Sequence, residues 1–129
     1  MKVYLSKSNL SSKNLIEKVR ELFSACEIIE YTAGPYSNTI IDPCQYLIAV
    51  PPEGQLNLIG KGVGSEIAHA KMRDIGAFVI DEDLNLHNVI EIRIHDQSDW
   101  KAKYYKAIFH DKLSRLMEIN GELIIKEDE

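Results

Sequence analysis

Residues Ile59 to Ala70 read Ile-Gly-Lys-Gly-Val-Gly-Ser-Glu-Ile-Ala-His-Ala. Three glycines at alternate positions, Gly60, Gly62 and Gly64, run into a segment of helical character. An apolar run, Tyr46 to Val50, precedes the stretch and is closed by Pro51-Pro52. A second apolar run, Ala77 to Ile80, follows it. Strand, glycine turn, helix, strand is the α/β pattern in which backbone N–H groups at a helix start face an anion. It predicts a helix over about Val63 to Asp74, with Ile67 and Ala70 toward a sheet and Gly76 as the stop. Glu66 then falls in the first helical turn, where the helix dipole favours a carboxylate.

Upstream, Val3 to Leu5 reads as a short strand. Ser11 or Ser12 caps a helix running to about Ala25, with Leu15, Val19, Leu22 and Phe23 recurring at helical spacing. Glu27 to Tyr31 is the second strand. Thr32 to Asn38 is a loop by its Gly34-Pro35 punctuation. Tyr46 to Val50, Ala77 to Ile80 and Val89 to Ile94 complete the strand set. The fold class this predicts is α/β: a flavodoxin- or Rossmann-like, mostly parallel sheet of about five strands with helices on both faces. In such sheets ligands sit at the carboxyl ends of the strands. That places Ser6, the Gly34 to Asn38 loop, the long Pro51 to Gly64 loop and Asp81 near the binding edge.

The last third fits two periods. Tyr105, Ile108, Phe109, Leu113, Leu116 and Met117 fit a helix, whereas Trp100, Ala102 and Tyr104 alternate as a strand does. The reading taken is a strand or turn over Trp100 to Ile108, a helix from Asp111 to Glu118, and an edge strand at Leu123 to Ile125.

The 129 residues, 45% of them hydrophobic, predict one domain, 1–129, with a single core. The net charge of −5 argues against a nucleic-acid polymer as partner, because phosphate backbones select basic patches. No stretch approaches the roughly 20 apolar residues of a membrane span. The N-terminus is too poor in apolar residues for a signal peptide, so a cytoplasmic protein is expected. Cys26 and Cys44 are far apart and read as reduced, buried thiols.

Gly62-Val63-Gly64-Ser65-Glu66-Ile67-Ala68-His69-Ala70 resembles the Gly-x-Gly-x-Glu-Leu-Gly-x-Ala motif of the nucleoside 2-deoxyribosyltransferase-like superfamily, which includes the deoxynucleoside 5′-monophosphate N-hydrolases. Val3-Tyr4-Leu5 is similar to the family's opening strand with its tyrosine. Ala77 to Asp83 is similar to its strand and acidic loop after the motif helix. The resemblance covers about the first two-thirds of the chain. It implies a hydrolase or transferase acting on a nucleoside or nucleotide, with Glu66 as nucleophile at the anomeric carbon and Tyr4 as its orienter. It implies ligand contacts from Ser6, Asn38, Asp42, Gly62, Gly64 and His69, no cofactor and no metal, and a homo-oligomer. The chain departs from the pattern in four places. Asn38 stands near where the enzymes carry an acid that assists the leaving base, and Gly60 stands where they carry aspartate or serine. Ala68 and His69 replace a common Gly-Tyr or Gly-Arg pair, and the loop from Pro51 to Lys61 is long.

Each feature also has a plainer reading. Glu66 fits a surface acid of a first turn, Tyr4 a half-buried strand residue, the glycines a flexible loop and Lys61 a solvated side chain. His69 shares a helix face with Glu66 at the spacing of a metal pair, but no second half accompanies it. His87, His95 and His110 read as surface or capping residues. Trp100, Tyr104 and Tyr105 interleave with Lys101, Lys103 and Lys106, as a base-stacking strip, as core packing beside a wet face, or as an oligomer contact of the kind the resemblance implies. A retained carboxylate with altered partners fits a divergent enzyme or a binding module without turnover.

Overall fold

The computed structural model describes residues 1–94 and 104–128. These residues form β1 (Lys2–Ser6), α1 (Lys13–Leu22), β2 (Glu27–Ile29), a 3₁₀ turn (Asn38–Ile41), β3 (Tyr46–Ala49) and β4 (Leu58–Gly60). Then follow α2 (Lys61–Met72), β5 (Gly76–Ile80), β6 (Leu86–Ile94), β7 (Tyr104–Ile119) and β8 (Glu122–Glu127). His95 and Trp100 to Lys103, singled out above, lie outside the described residues.

The first half behaves as its apolar runs dictate. β2, β1, β3 and β5 are neighbours in that order and all parallel. Successive side chains of a strand point to opposite faces. Val3, Leu5, Ile48 and Ile80 therefore join a core under α1 with Leu15, Ile16, Val19 and Phe23. Tyr4, Leu47, Ala49 and Val79 join a second core under α2 with Val63, Ile67 and Ala70. Ser12 caps α1, its hydroxyl accepting the Leu15 N–H at 3.3 Å.

After β5 the chain reverses. The Asp81 carboxylate accepts the N–H groups of Asp83 and Asn85, each at 2.9 Å, and pairs with His87 Nε2 at 2.8 Å. Leu84 takes a left-handed φ of 65° inside this turn. β6 then runs antiparallel to β5, β7 to β6 and β8 to β7, and three-residue β4 pairs antiparallel with the start of β7. The sheet order is β2-β1-β3-β5-β6-β7-β4, with β8 beside β7. β7 has 16 residues, well beyond the usual strand of about 5–6, so its twist accumulates. Two register shifts in the β6–β7 pairing, either side of Val89, add curvature. Near its start β7 packs Tyr105, Ala107 and Phe109 on the α2 core. Toward its end Leu116, with Ile125 of β8, packs on the α1 core.

The described residues thus form a mixed, curled half-barrel sheet of eight strands carrying two helices. It is not the Rossmann-like, mostly parallel five-stranded sheet with helices on both faces that the sequence predicts. Two segments account for the difference. Leu58 to Gly60, read as loop, is β4. Asp111 to Glu118, read as helix, lies within β7 between β6 and β8. Leu113, Leu116 and Met117 do fit a helical period, but pairing with β6 at Leu113 and with β8 at Leu116 and Met117 overrides it. Among the described residues no helix is long and apolar enough to cross a membrane. Both cysteines are free; Cys44 is buried and Cys26 half-buried.

Helix α2 starts at Lys61, not Val63, with Gly60 as its N-cap. Gly62 and Gly64 are therefore helical residues rather than a turn. A Cβ on Gly64 would lie 2.8 Å from Cδ2 of Tyr105, so this glycine lets α2 approach β7. Helix propensity favours alanine over glycine by about 1 kcal/mol, while overpacking costs about 1–3 kcal/mol. Gly64→Ala is expected to be net destabilising by about 1 kcal/mol. Gly62→Ala, where nothing lies within 4 Å of the added atom, is expected to stabilise instead. Urea unfolding of the two variants checks this pair.

Candidate functional site

Glu66 lies in the second turn of α2, not the first, and its side chain turns inward: the residue is 7% exposed. The geometry of β1 supplies its partners. Tyr4 and Ser6 are two residues apart, hence on one face of that strand. The Tyr4 hydroxyl donates to Glu66 Oε2, and the Ser6 hydroxyl donates to Oε1 at 2.7 Å. A third hydroxyl, Tyr36, reaches Oε2 at 2.7 Å from the loop after β2. The carboxylate is thus fixed by three hydroxyls, two from the buried strand and one from the surface.

The Tyr36 hydroxyl also lies against Asn38 Oδ1. A phenol has one proton, so Tyr36 serves both neighbours only if Asn38 presents its NH₂ as donor. The relay Asn38 to Tyr36 to Glu66 then satisfies each group. Tyr31 stands edge-on to Tyr36, ring centres 5.1 Å apart, and its hydroxyl donates to the Gly34 carbonyl at 2.5 Å.

Burial, then the hydrogen bond to Glu66 and its charge, pushes the Tyr4 phenol well above the ordinary tyrosine range. The same causes in the same order raise Tyr36. Both phenols stay protonated, and so remain donors, throughout neutral pH. A folded-state value above the unfolded value of about 10 gives stability that is complete below pH 10 and is lost as pH rises further. Tyr4→Phe is therefore expected to be less stable than the parent at pH 7, having lost a buried hydrogen bond. It should also lose less of its remaining stability between pH 10 and 11. Urea midpoints across that range test both parts.

Beside the carboxylate lies a cavity of about 310 Å³, whose walls include Tyr4, Lys7, Tyr31, Tyr36, Gly62 and Glu66. Small-molecule sites start at about this size. Lys7 at its side pairs with Glu30 at 2.9 Å.

Of the residues singled out in the sequence, the structure brings Glu66, Tyr4, Ser6, Asn38 and Gly62 together. Ser6 is fully buried against Glu66 and is no surface for a ligand. Gly64 lies against Tyr105 instead of the cavity. Asp42 and His69 do not line the cavity; they bond each other at 2.7 Å, with Arg73 3.7 Å from Asp42. They tie the 3₁₀ turn that carries Asn38 to α2. Asp81 is engaged in the β5–β6 turn. Among the described residues no group of three or more His, Cys, Asp or Glu side chains is placed to hold a metal. Sequence reasoning did not single out Tyr36, Tyr31 or Lys7. The available signal was a tyrosine following Gly34-Pro35 in a loop already assigned to the binding edge.

Comparison with protein-family models, with curated proteins and with solved structures finds no match. The hydrolase and transferase readings thus gain no support from relatives, and the Rossmann-like description is overturned by the strand-rich curled sheet.

Proposed function

We propose that this cavity takes a nucleoside or nucleotide and that Glu66 acts at the anomeric carbon of its sugar, breaking the N-glycosidic bond. One observation carries the reading: a nearly buried carboxylate held by Tyr4 and Ser6 at the wall of a sugar-sized cavity. A carboxylate has about four acceptor positions, and three are filled here. Among the described residues Oε1 accepts from Ser6 alone, which leaves it acceptor capacity for a reacting carbon. Breaking a glycosidic bond builds positive charge at that carbon, which such an oxygen captures or stabilises. Tyr31 and Tyr36 offer aromatic surface at the cavity for a planar base.

A second reading, a binding domain without turnover, rests on a different observation. Glycosidases of this kind use two carboxyl groups, and Glu66 is the single carboxylate lining the cavity among the described residues. Incubation with deoxynucleosides and their 5′-monophosphates, followed by chromatography for free base, separates the two. Base release supports the enzyme. Thermal shifts without base release support the binder. Neither response removes both.

A further inference from the structure

Tyr36 occupies a position on Oε2 of Glu66 that a ligand hydroxyl could fill. Tyr4 and Ser6 approach the carboxylate from β1 and are almost fully buried. Tyr36 is 46% exposed and reaches the same carboxylate from a surface loop, while its ring forms part of the cavity wall. Two phenols already share Oε2. A sugar hydroxyl arriving from the cavity finds Oε2 saturated by two phenols, and it gains that oxygen only where one of them leaves.

We propose that Tyr36 is a displaceable latch on Glu66, its phenol standing in for a sugar hydroxyl, so that a ligand reaching Oε2 exchanges its own O–H for the tyrosine's. This rests on the reading of the cavity as a nucleoside site. The exchange is one hydrogen bond for another on one acceptor, so it selects by chemistry. A ligand with a hydroxyl to donate replaces what it removes. A ligand without one leaves a buried acceptor under-satisfied and binds poorly. Asn38 neighbours the same phenol, and with its amide turned to present NH₂ it holds Tyr36 over Glu66 when the site is empty. The loop can follow the displacement, because Tyr31, Tyr36 and the residues between them are exposed. The clamp between Asp42 and His69 anchors the turn behind it.

The consequence runs against the usual outcome of removing a polar group from a site. Tyr36→Phe keeps the ring and deletes the competitor, so sugar-bearing ligands should bind more tightly. The gain expected is about tenfold, the scale of one hydrogen bond to a charged acceptor. Asn38→Ala should shift affinity in the same direction by loosening the latch. Suitable probes are the C-nucleosides pseudouridine and formycin A, whose carbon–carbon glycosidic bond resists cleavage, with free uracil and adenine as sugarless controls. Calorimetry on the parent, Tyr36→Phe, Asn38→Ala and Glu66→Leu gives the comparison. Tighter C-nucleoside binding in Tyr36→Phe with unchanged free-base binding supports the latch. Weaker or unchanged C-nucleoside binding overturns it, as does a gain shared by the free bases. Binding that depends on Glu66 but ignores Tyr36 removes the latch and leaves the proposed function standing. No binding, or binding indifferent to Glu66→Leu, removes both.

Discussion

Glu66→Gln is expected to reduce base release by on the order of 10³-fold or more, the scale at which loss of an essential catalytic group is read in other enzymes. The substitution preserves shape. A glutamine oxygen still accepts a hydroxyl, and its NH₂ can donate to a phenol or serine oxygen that turns to receive it. The cage of Tyr4, Ser6 and Tyr36 therefore stays assembled, and the melting temperature should move by only a few degrees. What disappears is the negative charge that answers the developing oxocarbenium ion. Glu66→Asp provides the geometric control. It keeps the charge but withdraws it by one methylene from a site held by fixed hydroxyls. A misplacement of about 1 Å costs about 10²-fold, so Asp should fall between parent and Gln. Activity that survives in Gln, with the fold intact by circular dichroism, would remove Glu66 from the chemistry. If the parent itself releases no base, the same three proteins still serve as ligand-binding probes, and the binding domain becomes the reading to pursue.

The parts legible in the sequence were those governed by local period and short-range pattern. Val3 to Leu5, Tyr46 to Val50 and Ala77 to Ile80 are apolar runs long enough for a strand buried on both faces, and each is one, to within a residue or two at its ends. A serine cap at Ser11 or Ser12 and the Leu15, Val19 and Phe23 stripe placed α1, and the structure selects Ser12. What escaped depends on partners distant in sequence. Asp111 to Glu118 carries leucines at helical spacing, and only pairing with β6 and β8 makes it a strand. Leu58 to Gly60 is too short to announce itself and is a strand because Tyr104 to Lys106 lies alongside. The site divided along the same line. Glu66, Tyr4 and Ser6 sit on regular elements, so a helix and a strand of known faces bring them near each other. Tyr36 sits on a loop whose path no periodicity encodes. Asp42 and His69 bond each other across a turn and a helix, an arrangement visible only once both are placed.

Ile59→Ala is expected to cost about 2–5 kcal/mol, the range for emptying a buried aliphatic site. Ile59 is fully buried and sits in the α2 core with Val63, Ile67 and Ala107. It is the central residue of β4, which has only three, so no neighbour within the strand replaces its anchorage. Its effect should reach the site through the next residue. Gly60 ends β4 and caps α2 with no side-chain hydrogen bond. The start of α2 is therefore held by the pairing of β4 with β7, where Ile59 faces Tyr105. When that anchor loosens, the turn bearing Gly62 and Val63, part of the cavity wall, loosens with it. Amides of Ser65, Glu66 and Ile67, which bond back to that turn by helix geometry, should lose hydrogen-exchange protection beyond the global change. Ligand affinity should fall further than the loss of folded protein explains. Val19→Ala is the matched control: Val19 is buried in the α1 core, on the other side of the sheet. It should lower global stability while leaving those amides and ligand affinity in proportion to the folded fraction. Equal loss of α2 protection in both variants would mean that β4 does not govern the helix start and that the cavity wall is rigid without it.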